Sequence, residues 1–282
     1  MKKIIALLMA AVLVFAFAGC AKNPANEETS TDAVESNNST NAAEAETVDP
    51  NSDLGYILNK GKLVVGITEY KPMDYKEEGS DEWTGFDAEF AKAFAKDLGV
   101  EIEFIEIDWD NKVFELDSKE IDCIWNGMTI TPELELATKI SNPYIKNAQV
   151  VVMAADKVAD YKDAASMADL SFAVEAGSAG EQAAKDNSFE FTSVLTQADA
   201  LMEVKSGTAD ACIIDITMAN AMTGEGTSYA TLAKGIELTS ELYGVSFRKN
   251  SNAADALNKF MAENKADVLT PLATKYELTL AF

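Results

Sequence analysis

The sequence predicts an α/β protein made of two units of similar build. Three observations carry that expectation. From Lys62 onward, apolar segments with strand periodicity alternate with segments of helical periodicity, the layout of a parallel α/β sheet. A short echo, Ser118-Lys119-Glu120-Ile121-Asp122 against Ser206-Gly207-Thr208-Ala209-Asp210, twice ends a helix and begins a strand. Residues 119–134 read as a buried strand (Ile121, Cys123, Ile124, Trp125), a turn at Asn126-Gly127, and a helix start with Thr131 as N-cap and Pro132 at the first helical position. Such a junction sets N–H groups and small polar side chains at the carboxyl end of a strand, where open α/β sheets bind small molecules. An ordinary strand–turn–helix corner is the plainer reading of the same residues.

Taken in order, residues 1–19 read as a targeting segment. Lys2 and Lys3 are followed by an apolar run from Ile4 to Phe17, about 14 residues and too short for a stable membrane span. The run ends in Phe17-Ala18-Gly19-Cys20, which resembles a bacterial lipobox, with Phe17 in place of the usual leucine. That motif implies cleavage before Cys20, lipidation of its thiol, and an exported protein held on the outer face of the cell membrane; an uncleaved anchor is the competing reading. Residues 20–53 are rich in Ala, Asn, Ser, Thr and Glu and hold no aromatic residue, so they cannot repay their ordering entropy. They read as an acidic tether of roughly 30 Å mean reach.

Folded structure is expected from Leu54. Residues 62–68 form a strand, and Phe86, Phe90, Ala93, Phe94 and Leu98 recur at helical spacing up to Gly99. Val100, Ile102 and Phe104 alternate with glutamates as a strand does. A short helix (Val113, Phe114, Leu116) leads to the junction above. Beyond it, strands are expected at 150–152, 171–175, 189–195, 210–215 and 243–247. Helices are expected at 181–186, 198–204, 254–261 and 268–276.

Composition narrows the chemistry. Forty-seven acidic residues against 23 basic ones give a net charge of −24, which disfavours nucleic acid and anionic membrane faces as partners. No histidine is present, so the commonest general base and metal ligand are missing, and neither a metal nor a cofactor is expected. Arg248 is the single arginine. Cys123 and Cys212 lie in apolar strand-like runs and read as inert buried thiols, a disulfide between them being the sharper alternative.

The ordered set Gly61-Lys62-Leu63-Val64-Val65-Gly66, Gly85-Phe86-Asp87, Asp108-Trp109-Asp110, Ile121-Asp122-Cys123-Ile124, Gly127-Met128-Thr129-Ile130-Thr131-Pro132-Glu133, Asn142-Pro143-Tyr144, Ala209-Asp210-Ala211 and Tyr243-Gly244-Val245-Ser246-Phe247-Arg248-Lys249 resembles the polar-amino-acid family of bacterial extracellular solute-binding proteins that serve ABC importers. The resemblance implies a two-lobed, type II periplasmic-binding-protein-like α/β fold, its lobes joined by two crossover segments. Lobe 1 would hold residues 54–147 plus 240–282 and lobe 2 residues 148–239, with hinges near 147–149 and 240–243. It also implies a monomer that binds an amino-acid-like ligand, delivers it to the membrane subunits of an ABC permease, and is no enzyme. A same-fold dehydratase and a surface or signalling receptor without a transport role are the alternatives.

Carried over by position, Tyr70 and Trp109 would wall the pocket. Asn126, Gly127 and Thr129 would meet the ligand's amino and carboxylate groups through backbone and hydroxyl. Gly177, Ser178 and Ala179, at a helix start, would bind the carboxylate, and Asp215 would pair with the α-amino group. Read from the residues alone, Asp215 could equally cap the helix from Ile216, and Tyr70 and Trp109 could be core aromatics. The family pattern places a carboxylate-gripping arginine where this chain has Leu134; Lys139 is a possible substitute, with one-point contacts only. Glu175 and Glu69 would make the pocket more anionic, which favours a neutral polar or cationic ligand.

Overall fold

A computed structural model of the chain describes residues 48–282. The targeting segment, Cys20 and most of the tether lie outside the described residues. Ser52 accepts a hydrogen bond from Gly55 N and starts helix α1 (Asp53–Lys60), which Gly61 ends in the left-handed region. Strand β1 (Lys62–Ile67) is buried along almost its whole length. The small hairpin β2 (Tyr75–Lys76) and β3 (Trp83–Thr84) precedes α2 (Phe86–Leu98), whose bounds are those its apolar spacing and Gly99 predict. Strand β4 (Glu101–Glu106) lies at a sheet edge with its glutamates in solvent. Asp108 caps a single turn, Trp109–Asn111, which runs into α3 (Lys112–Asp117). The strand expected over 121–125 pairs only as β5 (Cys123–Ile124). Thr131 accepts from Leu134 N to cap α4 (Pro132–Ala137), and β6 (Lys139–Ile140) and β7 (Ile145–Asn147) follow.

The second run of elements is β8 (Gln149–Ala154), β9 (Ser171–Glu175), α5 (Ala179–Asp186), β10 (Glu190–Val194), α6 (Gln197–Ser206), β11 (Ala211–Asp215), α7 (Ile216–Met222) and β12 (Leu232–Glu237). The chain then returns through β13 (Glu241–Tyr243) and β14 (Ser246–Phe247) to α8 (Ala253–Asn264), a π turn at Lys265–Leu269, and α9 (Thr270–Lys275). Two expectations change here. The single strand expected over 243–247 breaks at Gly244, where a Cβ would meet Ile140 at 2.6 Å, so its two ends join different sheets. The last helix opens with a wider turn.

Two open sheets result. In the first, β4, β1 and β5 run parallel, and β14 and β6 complete the order β4-β1-β5-β14-β6. In the second, β10, β9 and β11 run parallel and β8 and β12 are added antiparallel, giving β10-β9-β11-β8-β12. The chain passes from one sheet to the other after β7 and back before β13. Those two strands pair with each other as an antiparallel ribbon, Asn147 opposite Glu241. The sequence echo is repeated in the backbone. Lys119 and Gly207 both take left-handed φ, 66° and 80°. The next N–H in each case reaches back five residues, Glu120 to Glu115 O and Thr208 to Glu203 O.

An aromatic cluster fills the first half: Phe86, Phe90, Phe94, Trp125, Tyr144 and Phe260, with Phe90 edge-on to Trp125 at 4.7 Å between ring centres. Cys123 and Cys212 are both free and buried, each in its own sheet, so no disulfide joins them. Arg248 is fully committed away from any cleft. It donates to Asp53 Oδ1 (2.6 Å), Ile121 O (2.7 Å) and Asp122 Oδ1 (3.0 Å), while Lys60 holds the other oxygen of Asp122 at 2.6 Å. Asp122 has no exposed surface, so removing its partner leaves a buried charge short of compensation. Arg248→Met is therefore expected to cost about 3 kcal/mol of stability in a urea titration and to leave solute affinity unchanged. No helix among the described residues is long and apolar enough to cross a membrane.

Candidate functional site

A cavity of about 250 Å³ opens where loops at the carboxyl ends of β5, β9 and β11 face one another. All eleven residues singled out from the sequence line it: Tyr70, Trp109, Asn126, Gly127, Thr129, Leu134, Glu175, Gly177, Ser178, Ala179 and Asp215. What they offer a ligand differs from the expectation. The Asn126 side chain is spent on Thr68, to which it both donates and accepts, and on Asp74. Gly127 N donates to Asp87 Oδ2 at 2.6 Å, and Thr129 Oγ1 donates to Glu241 Oε2 at 2.9 Å. The side chains of Asn126 and Thr129 and the Gly127 N–H are thus paired within the fold, so what this turn keeps for a ligand is backbone, the N–H of half-buried Thr129 among it. Tyr70 is buried as well. Its hydroxyl is tied to Thr217 Oγ1 and Tyr243 OH, so it bounds the cavity with its ring.

The opposite wall keeps free groups. Gly177 takes φ 67°, and its N–H donates to Glu181 Oε2. A Cβ on Gly177 would lie 2.6 Å from Asp110 Oδ1, so loops from the two sheets touch there. Ser178 caps α5 by accepting from Glu181 N, which leaves Ala179 N and Gly180 N at the positive end of the helix without an intrahelical partner. Asp215 sits at the N-cap position of α7 but makes no capping bond. Its carboxylate turns to three amides and accepts from Asn147 Nδ2, Gln149 Nε2 and Gln197 Nε2. Burial pushes its pKa up to about 6, and the charge of Glu241 adds to the shift. Glu175 is buried beside it and is pushed up to about 8, by burial first and then by Asp215.

Leu134 is half-buried, packs against the apolar cluster of Trp109, Leu116 and Met128, and gives the cavity apolar surface where the family pattern has a guanidinium. Lys139 is no substitute. It lies in the first sheet and pairs with Asp255 at 3.7 Å, away from the cavity. Glu69 is exposed and does not line the cavity.

The residue missed by the sequence reading is Lys112. It is buried, it lines the cavity, and it donates to Trp109 O (3.0 Å) and across to Gly177 O (2.9 Å). Its spacing of three from Trp109 on a capped turn was the available signal, since such residues share a helix face. Gln197, the third amide on Asp215, carried none. Among the lining residues Glu133, Glu175, Glu181 and Asp215 outnumber Lys112 and Lys185, so the cavity is anionic. The described residues hold no group of acids and cysteines arranged to bind a metal ion.

Two open α/β sheets joined by a ribbon, with a half-open cavity between their strand ends, define a two-lobed solute receptor of the type II periplasmic-binding class. The chain belongs to the bacterial extracellular solute-binding proteins, family 3, whose pattern matches residues 63–279. It is 29% identical over 273 residues to the arginine-binding extracellular protein ArtP of Bacillus subtilis (strain 168), covering 93% of this chain and 92% of that protein. It is 30% identical over 277 residues to the ABC transporter glutamine-binding protein GlnH of the same organism, covering 95% and 94%. Among solved structures it resembles the ancestral amino acid-binding protein AncCDT-1, a precursor of cyclohexadienyl dehydratase, with a TM-score of 0.73 and 32% identity over 80% of this chain and 99% of that one.

Proposed function

We propose that this protein is the solute-binding component of an ABC importer and closes on a cationic or neutral polar amino acid. The observation that carries the reading is the cavity wall on which the Asp215 carboxylate at the end of β11 and the N–H groups at the start of α5 stand together. An α-amino group takes the Asp215 carboxylate. The α-carboxylate takes the helix N–H groups with the Lys112 ammonium beside them, in place of the arginine absent at Leu134. Tyr70 and Trp109 bound the side chain. The lobes are residues 54–147 plus 240–282 and residues 148–239, and they bend at the β7–β13 ribbon. The arginine- and glutamine-binding relatives support a ligand of this class. Calorimetry of the purified protein against the twenty amino acids tests it, and no heat with any of them sinks the amino-acid reading.

Binding is favoured over the dehydratase alternative because the cavity acids would repel an anionic substrate. Absence of turnover of prephenate and arogenate is the expected result. The mature protein is a lipid-anchored monomer on the outer face of the membrane, attached through Cys20. Cys20→Ser is accordingly expected to move the protein from the membrane fraction to the soluble one, and retention at the membrane would refute the anchor.

A further inference from the structure

Glu175 ends β9 and Asp215 ends its parallel neighbour β11, so two carboxylates stand side by side at one end of the cavity. Their surroundings are unequal. Asp215 is surrounded by donors, with three side-chain amides on its two oxygens. Glu175 is 3% exposed and lines the cavity, yet it accepts no such set of bonds. Gln197, the one side-chain amide that acts on it, is shared with Asp215, to which Gln197 Nε2 donates. Lys112 is close enough for its charge to be felt, but two of its three N–H bonds go to the carbonyls of Trp109 and Gly177. A carboxylate withdrawn from water to this degree requires donors, and the cavity is where they must come from.

We infer that Glu175 is the specificity-determining residue of the cavity and takes the positively charged side-chain group of the ligand, a guanidinium or ammonium. This rests on the amino-acid reading above and narrows it to basic amino acids. A guanidinium offers a fork that matches the two oxygens of a carboxylate, and an ammonium offers a compact charge. A carboxamide offers neither charge nor fork and leaves the buried carboxylate short of a partner, which a binding site penalises strongly. Trp109 and Leu134 supply apolar surface for the methylene stem of such a side chain. Ligand charge would also draw the raised Glu175 carboxyl back toward its ionised form.

The test compares L-arginine, L-lysine and the neutral isosteres L-citrulline and L-glutamine by calorimetry at pH 7.5. The wild-type protein is expected to bind at least one of the two cations about 100-fold or more tighter than citrulline. Glu175→Gln keeps the side-chain size and is expected to compress that ratio to about 5-fold or less, by weakening the cations and by lifting the penalty on citrulline. A melting curve on the same sample confirms that the variant is folded, and Glu175→Leu, which restores an apolar wall, provides a second variant with the same expected loss. A preserved ratio in either folded variant overturns this inference and leaves amino-acid binding intact. So does a wild-type preference for glutamine, citrulline or any other uncharged amino acid over both cations. Binding of none of the twenty amino acids overturns both readings together.

Discussion

Asp215→Asn is expected to weaken amino-acid binding by about 30-fold to several thousand-fold and, above pH 6, to raise the melting point of the empty protein. The two effects have one cause. A buried carboxylate that meets a ligand ammonium contributes on the order of 2–5 kcal/mol to the complex when its loss leaves the partner charge unpaired. Without that partner the same charge is held in a site where burial and Glu241 oppose ionisation. The amide removes the buried charge at the smaller cost of one hydrogen bond, where its NH2 meets a donor amide, so the empty site is relieved while the filled one loses its counter-ion. Titration calorimetry with L-arginine reads the first effect and thermal melting of the empty protein reads the second. Unchanged affinity would place the site elsewhere.

The empty protein is expected to lose stability as pH rises from 5 to 9. Asp215, Asp87 and Glu175 are raised to about 6, about 7 and about 8, and Asp74, packed next to Asp87, is raised well above its usual range, in each case chiefly by burial. Their unfolded values lie near 4. Between about pH 4 and these folded values the native state binds more protons than the unfolded chain, so stability falls with pH. It is fully present below pH 4 and has been lost once pH passes the folded values. A shift of two units corresponds to roughly 3 kcal/mol, and together the groups should lower the melting point by about 10 °C or more. Glu89, Glu181 and Asp210 are held below their usual values by their hydrogen-bond partners and act oppositely, but only in the acid range. Melting curves across the pH range check the slope. A saturating cationic amino acid should flatten it, because a positive charge in the cavity favours the ionised forms of Glu175 and Asp215. A slope of opposite sign between pH 6 and 8 would refute the assignment.

Much of this architecture is legible in the sequence because local signals and tertiary packing agree. Phe86 to Leu98 buries one face and stops at a glycine, and Thr131-Pro132 caps a helix where it should. The short pairings are not legible. β5 and β14 are two residues each, too brief to show a period, and the split at Gly244 depends on Ile130 and Ile140 pressing from other segments. At the site, residue identity is readable but the state of each group is not. Nothing in Asn126-Gly127-Met128-Thr129 reveals that its side-chain donors and the Gly127 N–H are claimed by Thr68, Asp87 and Glu241, residues 40 to 112 positions away. Asp215 escapes its capping role for the same reason, since its three amides come from β8, α6 and the ribbon. Lys112 was missed because a lysine on a short helix ordinarily points to water.

The contact at Gly177 sets a mechanical tolerance. Its absent side chain leaves less than one carbon atom of clearance to Asp110, and Lys112 bridges the same gap to the Gly177 carbonyl. One added methyl group at this point would force the two loops apart and draw the Gly177 carbonyl away from Lys112.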